Sequence, residues 1–346
     1  MEPKNPLAKF RRDTGPSLFD DFLLAGEEVR AERELKRQRE AEEKRRELLA
    51  KAERSRTKRA PETSPKRFSA SGHAGPIDLP DIVLGTSAFT ADGWRGFFYP
   101  PGMKPAEYLT YYAERFQTVE LDSTFYRTPA ASTVRGWYAR TPPDFIFAAK
   151  APRVITHEKV LVDCDAEWKV FRDVMEVLDE KLGPILFQFG YFNKKAFQGP
   201  EEFLARLKPF LQKLPRDRKF AVEIRNKNWL DARFADALRE HNVALALIDQ
   251  SWMPRPWEMK EIKPRFDPIT SNFAYVRWLG DRKGIEKVTT TWNKTVVDRS
   301  DDLANWVKVF QKFVARNLRV FGYANNHYAG YGPGTLQLFR ELWEKK

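Results

Sequence analysis

From residue 82 to residue 343 the chain repeats one pattern eight times: a short apolar run, a polar group at its C-terminal end, and then, in most intervals, a segment with helical spacing. The runs fall at 82–87, 118–122, 145–150, 184–189, 220–225, 243–249, 273–278 and 318–324. Helix-like periodicity covers 104–116, 132–140 with Ser132 as its N-cap, 166–180, 200–213, 231–241, 301–316 and 335–343. Strands that alternate with helices form a parallel sheet, because each crossover needs a helix to return the chain to the same end. Eight such units in about 270 residues predict a closed (β/α)8 barrel. The sixth connection carries Pro254, Pro256, Pro264 and Pro268 and reads as irregular, without a helix. The structural alternative is a doubly wound open sheet. That fold usually places a Gly-rich phosphate turn after its first strand, and Gly85-Thr86-Ser87 is not G-x-G-x-x-G.

Residues 1–78 differ in kind and are expected to be a charged extension and linker, with the barrel domain spanning 79–346. Residues 1–16 read as disordered, and Ser17 is placed to start a helix running to about residue 56. Glu32/Lys36, Glu40/Lys44, Glu42/Arg46 and Glu47/Lys51 lie at i,i+4 in the favourable order, but the apolar a and d positions of a coiled coil are missing. Lys51, Arg54, Arg56, Lys58, Arg59, Lys66 and Arg67 make the 51–67 segment basic. It reads as a nucleic-acid arm or, preferably, as a solvated linker, because aromatics are not interleaved with the charge. The net charge is +12, of which +5 lies in residues 1–75 and +7 in the remainder. Cys164 is the only cysteine, so neither a disulfide framework nor a cysteine zinc cluster can form. No apolar run approaches the ~20 residues of a membrane span, and no apolar leader follows the first basic residues. The expectation is a cytoplasmic protein without a membrane partner.

In a barrel all eight C-terminal strand ends meet on one face, where such enzymes keep their sites. The stretch 118–127 shows why that face matters here. Val119 and Leu121 alternate with Glu120 and Asp122, so one side of the strand is apolar and the other carries two carboxylates. The other ends supply Ser87, Lys150 followed by His157, Gln188, Glu223 with Arg225 and Trp229, Asp249, Arg277, and Asn325-Asn326-His327. Tyr126 follows the second strand, and Trp94, Tyr99, Tyr126 and Trp229 are candidate pocket walls. Polar groups gathered at one end of otherwise apolar strands are costly unless they are paired or wet. A structural ion network of Glu120, Glu223 and Asp249 with Lys150, Arg225 and Arg277 stands as the plain alternative.

Segments from residue 82 to residue 343 resemble the YecE-like family of proteins with a domain of unknown function. The matching residues are Gly85-Thr86-Ser87 with Gly93-Trp94 and Phe98-Tyr99-Pro100, then Val119 through Tyr126, and Lys150-Ala151-Pro152 with Thr156-His157. They continue with Phe187-Gln188, Val222 through Arg225 with Trp229-Leu230, Tyr275-Val276-Arg277 and Asn325-Asn326-His327. The resemblance implies a TIM-type barrel and brings no established reaction. Three positions depart from the family's usual residues: Asp122 stands where Asn is common, Asn226 where His is common, and Leu279 where an Arg-x-His-Gly segment carries its imidazole.

The leading functional expectation is an acid–base enzyme, of hydrolase or lyase/isomerase type, acting on a small anionic or sugar-like substrate. Glu120, Glu223 and His327 are its expected catalytic residues. Ser87, Asp122, Tyr126, Lys150, His157, Gln188, Arg225, Trp229, Arg277, Asn325 and Asn326 are its expected binding residues. No cofactor is required. A second reading is a metal-dependent phosphodiester hydrolase, with Glu120, Glu223, Asp249 and His327 around a divalent ion. A third is a non-catalytic module that binds nucleic acid or a protein partner through the extension.

Overall fold

The computed structural model describes residues 81–262 and 266–345. The extension, its boundary with the barrel domain and the basic 51–67 segment lie outside the described residues.

Eight parallel strands form the sheet: β1 (Ile82–Thr86), β2 (Thr118–Leu121), β3 (Ile146–Lys150), β4 (Leu182–Gln188), β5 (Phe220–Glu223), β6 (Ala244–Gln250), β7 (Phe273–Gly280) and β8 (Arg319–Ala324). Between them run α1 (Tyr108–Ala113), α2 (Ala131–Ala139), α3 (Asp165–Met175), α4 (Pro200–Gln212), α5 (Ala232–Arg239), α6 (Pro256–Ile262) and α7 (Ser300–Val314), and α8 (Gly332–Glu344) ends the chain. The sixth connection therefore does contain a helix, contrary to the expectation. Pro256 sits in its first turn, where a missing N–H costs nothing. Ser132 is not a cap, because α2 begins one residue before it and its N-cap is Ala130. Asp231 is a true cap, with its Oδ1 accepting from Phe234 N at 3.0 Å.

The hydrogen-bonded order is β1-β8-β7-β6-β5-β4-β3-β2, leaving β1 and β2 as the two free edges. Tyr112 of α1 closes that seam. Its hydroxyl accepts from Thr86 N at 2.8 Å and donates to Thr118 O at 3.1 Å. The strands come so close that a Cβ on Gly85 would lie 2.0 Å from Thr118 O, so only glycine fits there. The result is a nearly closed barrel in which one side chain replaces a ladder.

Two apolar layers follow from the period-two alternation of each strand. Val83, Ala148, Leu186, Ala221, Ala246 and Phe273 fill the barrel interior. Residues of opposite parity, such as Val119, Leu121, Phe147, Phe187 and Val276, pack outward against the helices. The interior is thus largely apolar, with the Thr118 and Tyr323 hydroxyls 3.0 Å apart within it, and the buried charged residues Glu120, Lys150, Glu223 and Arg277 lie towards the C-terminal strand ends.

Candidate functional site at the barrel mouth

The floor of the mouth is built around Arg277 of β7. Its side chain is 2 % exposed and touches three carboxylates. Nε and Nη2 donate to Glu120 Oε1 at 3.0 and 2.6 Å, Nη1 donates to Glu223 Oε2 at 2.7 Å, and Nη2 also donates to Asp122 Oδ1 at 3.2 Å. Tyr275 completes the shell by donating its hydroxyl to Glu120 Oε2 at 2.5 Å. Arg225 donates from Nε to Glu223 Oε1 at 2.8 Å. A guanidinium is suited to this work because its planar fork offers five donors and remains charged when buried.

The two buried glutamates are held in opposite directions. Burial pushes Glu120 up, and the neighbouring Asp122 adds to that push against the pull of Arg277. Burial works on Glu223 in the same sense, but Arg277 and Arg225 together outweigh it and bring Glu223 down to about 2. Glu223 has two guanidiniums, while Glu120 shares one with two other acids. When the cluster takes up a proton, Glu120 is therefore the carboxyl that receives it.

A second tier faces the solvent. Lys150 Nζ lies 3.5 Å from Asp122 Oδ1 and 4.2 Å from the Phe125 ring centroid. Burial lowers its pKa, with Arg277 adding to the effect and Asp122 opposing it. Among the described residues its ammonium makes no hydrogen bond, and Arg225 spends only Nε on the protein. His157 stands exposed on a π-helical turn (Val154–Glu158), its Nδ1 2.9 Å from Thr156 Oγ1 and its ring 4.9 Å edge-on from Phe125. Burial of part of the ring, then Lys150 and Arg225, hold its pKa below the usual imidazole range.

Other expected site residues take different places. Asp249 faces away from the barrel axis: its carboxylate accepts from Trp306 Nε1 at 2.7 Å, Tyr328 Oη at 3.0 Å and Arg255 Nε at 2.9 Å. It has the strand parity of the outward Leu245 and Leu247, so it fastens β6 to the helical layer. Trp229 is buried among Phe192, Phe197 and Phe203 and is core, not pocket wall. Trp94 and Tyr99 are buried as well, at 1 % exposure each. Asn326 Oδ1 accepts from Gly332 N at 2.8 Å and Trp94 Nε1 at 3.3 Å, tying the start of α8 to the first loop. Ser87 Oγ accepts from Asn325 Nδ2 at 2.9 Å. Gln188 donates to Phe189 O at 2.7 Å. His327 is half-buried between Asn325 Oδ1 at 2.5 Å and Glu286 Oε1 at 3.3 Å, against the Trp292 ring. Tyr126 is 74 % exposed.

The four-residue metal set does not converge, because Asp249 points outward and Arg277 occupies the glutamate oxygens. Among the described residues no group of three or more His, Cys, Asp or Glu side chains is arranged to hold a metal ion. Sequence reasoning missed Tyr275, whose inward parity is readable two residues before Arg277. It also missed Gln250, which shares the strand parity of the interior Ala244 and Ala246. The Gln250 Oε1 is buried with no hydrogen-bond partner among the described residues.

Comparison with known proteins places this geometry in context. A family model described as "Protein of unknown function DUF72" matches residues 83–346. The UPF0759 protein YecE of Escherichia coli (strain K12) is 34 % identical over 118 residues, covering 34 % of this chain and 41 % of the relative. The UPF0759 protein YunF of Bacillus subtilis (strain 168) is 30 % identical over 151 residues, covering 41 % and 51 %. The matched segments thus span about half the length of these curated relatives or less. Among solved structures, a DUF72 family protein (TM1631) from Thermotoga maritima MSB8 superposes with a TM-score of 0.58 at 24 % identity, over 76 % of this chain and 98 % of that one. A DUF72 family protein (EF0366) from Enterococcus faecalis V583 gives 0.57 at 20 %, over 76 % and 95 %. Both support the fold alone.

Proposed function

The chain belongs to the DUF72 family of proteins of unknown function, and within that frame we propose that its barrel mouth is the site of an acid–base enzyme that binds a small anionic substrate. One observation carries the reading: Lys150 and Arg225 hold unspent donors above a floor whose own cation, Arg277, is already committed to three carboxylates. Fixed cations over a desolvated floor attract an anion more strongly than solvated side chains do, because the surrounding dielectric is low. Arg225 can take a carboxylate or phosphoryl group with two parallel donors, and Lys150 adds a point charge.

Proton transfer falls to the solvent-facing tier. Burial makes the Lys150 ammonium a better acid than a free lysine. Asp122 beside it and the neutral His157 imidazole are the candidate bases. Glu120 and Glu223 are 0 % exposed, so they act as positioning residues that orient Arg277 and Arg225 without touching substrate.

Calorimetric titration of the full chain with phosphate, sulfate and a panel of phosphorylated and carboxylated metabolites tests the reading. At least one ligand is expected to bind saturably, with K150A and R225A each weakening it by roughly tenfold or more. A flat response to the whole panel, or binding indifferent to both substitutions, rejects it.

A further inference from the structure

Exposed large apolar side chains are not scattered over this barrel. Among the described residues the exposed large aromatics are Phe97, Tyr126, Tyr191 and Trp252, which lie in the loops after β1, β2, β4 and β6. All four therefore stand at the same end as the charged floor. Charge is distributed in the same way. Residues 76–346 contain 41 basic and 34 acidic side chains. The segments that lead from each strand's C-terminal end to the next main helix hold 15 of those basic and 9 of those acidic residues, which leaves the rest of the domain at 26 against 25. These segments thus carry +6 of the domain's net charge of +7.

Within this rim, Tyr126, His157 and Tyr191 form one local patch. Phe125, which precedes Tyr126, packs edge-on against the His157 ring at 4.9 Å. Gly190, which precedes Tyr191, lies against the same imidazole: a Cβ there would be 3.6 Å from His157 Nε2. Tyr191 is positioned from behind by Asn226, which accepts from Phe192 N at 2.9 Å and donates to Phe192 O at 2.8 Å. A histidine at residue 226 could not give and take both bonds through one carboxamide-like edge. Arg153, Lys150 and Arg225 all act electrostatically on His157 and border the patch.

We propose that this rim binds single-stranded nucleic acid, with successive bases stacked on Tyr126 and Tyr191 and the phosphates held by Lys150, Arg225 and Arg153. Two features together select this ligand. Neutral glycans stack on aromatics but gain nothing from a net charge of +6, and sulfated glycans use the charge but do not need exposed rings. A chain of flat bases joined by anions uses both. The spread of exposed rings over the loops of β2, β4 and β6 suits a polymer better than one small ring. The inference names the ligand class of the anion site proposed above and rests on that reading for its phosphate contacts, while the stacking stands on the aromatics alone.

Fluorescence anisotropy of labelled oligothymidylate and oligouridylate, titrated with the full-length chain at several salt concentrations, tests it. Binding is expected to favour single strands over duplex and to weaken with salt. It should fall roughly tenfold or more in Y126A/Y191A, the loss ordinarily seen when a stacking ring is removed. A full-length variant with Lys51, Arg54 and Arg56 changed to Ala separates the rim from the extension. Loss of binding there with none in Y126A/Y191A overturns the proposal. So does equal, tyrosine-independent binding of a sulfated oligosaccharide, and so does binding by neither oligonucleotide. Tyrosine-dependent binding that inorganic phosphate and K150A leave untouched sustains the stacking platform and rejects the anion site instead.

Discussion

Replacing Arg277 by Met keeps most of the side-chain volume and removes the charge on which the floor depends. Its consequence can be worked from the contacts. Glu120 loses its only guanidinium, Asp122 one of its two cations, and Glu223 one of its two guanidiniums. The position of Glu223 at about 2, against an ordinary 4.5, corresponds to about 3 kcal/mol of stability at neutral pH, part of which Arg225 retains. Leaving buried carboxylates unpaired costs about 3–5 kcal/mol in comparable cases. R277M should therefore lose about 3–5 kcal/mol near neutral pH, or roughly 6–20 °C in Tm for a domain of this size. The sign of the pH dependence follows from the two directions. In the parent, Glu223 is depressed, so its contribution is present above its unfolded pKa and disappears as pH falls towards about 2. In R277M both glutamates move up from their positions in the parent, so the penalty grows as pH rises and fades as they protonate. The deficit must therefore shrink towards around pH 4. Urea unfolding followed by tryptophan fluorescence reads the barrel alone, because all ten tryptophans lie between residues 94 and 343. Equal stability near neutral pH would refute the reasoning. A deficit of constant size at every pH would refute it too, since that is the signature of lost packing without charge.

The seam and the outward network give further tests. Tyr112→Phe strips the hydroxyl that serves Thr86 N and Thr118 O, and should cost about 1–3 kcal/mol by the same urea assay. An unchanged midpoint would mean that β1 and β2 are satisfied in some other way. Asp249→Asn should destabilise by about 2–4 kcal/mol, by discharging the partner of Arg255, while leaving phosphate affinity as it was. A loss of anion binding without loss of stability would return Asp249 to the site. The His157 ring should titrate below the ordinary imidazole value, so its protonation should begin to cost stability only as pH falls through and below about 6.5. A side-chain NMR titration that places it at or above that value would contradict the cationic surroundings described for it.

The fold was legible because a parallel barrel writes itself in a simple code. Each strand is a short apolar run, each crossover needs a helix, and the two periods differ enough to be separated by eye. The short α6 escaped notice because its prolines argue against a helix in general, while Pro256 occupies the one helical position that tolerates it. The location of the site was legible for the same reason as the strands: acids and cations at the ends of apolar runs. Side-chain direction was less so. Asp249 looked equivalent to Glu120 and Glu223 in a linear reading, yet its parity along β6 matches Leu245 and Leu247, which assigns it to the outer layer. Counting in twos from Ala244 and Ala246 would have given this, and would have flagged Gln250. Which carboxylate meets which cation was beyond reach, because it depends on how eight strand ends are staggered around the barrel.

The three departures from the family's usual residues can now be weighed together. With Asn at residue 122, Arg277 would face two buried carboxylates and one amide, and Lys150 would have no acid beside it. Asp122 brings the mouth to three carboxylates against Lys150, Arg225 and Arg277, a balanced set in which every acid has at least one cation within 3.5 Å. Leu279 is 9 % exposed and belongs to the apolar core, so the imidazole missing there has been exchanged for packing. Gly280 beside it, at φ +68°, lets the backbone of His327 approach to where a Cβ would stand 2.5 Å from its carbonyl oxygen. Asn226 clamps the loop that carries Tyr191. Taken together, the substitutions remove imidazoles and add one carboxylate that solvent can reach. On the acid–base function proposed above, proton transfer would fall to Asp122, Lys150 and His157, on the side of the mouth where Tyr126 and Tyr191 stand exposed.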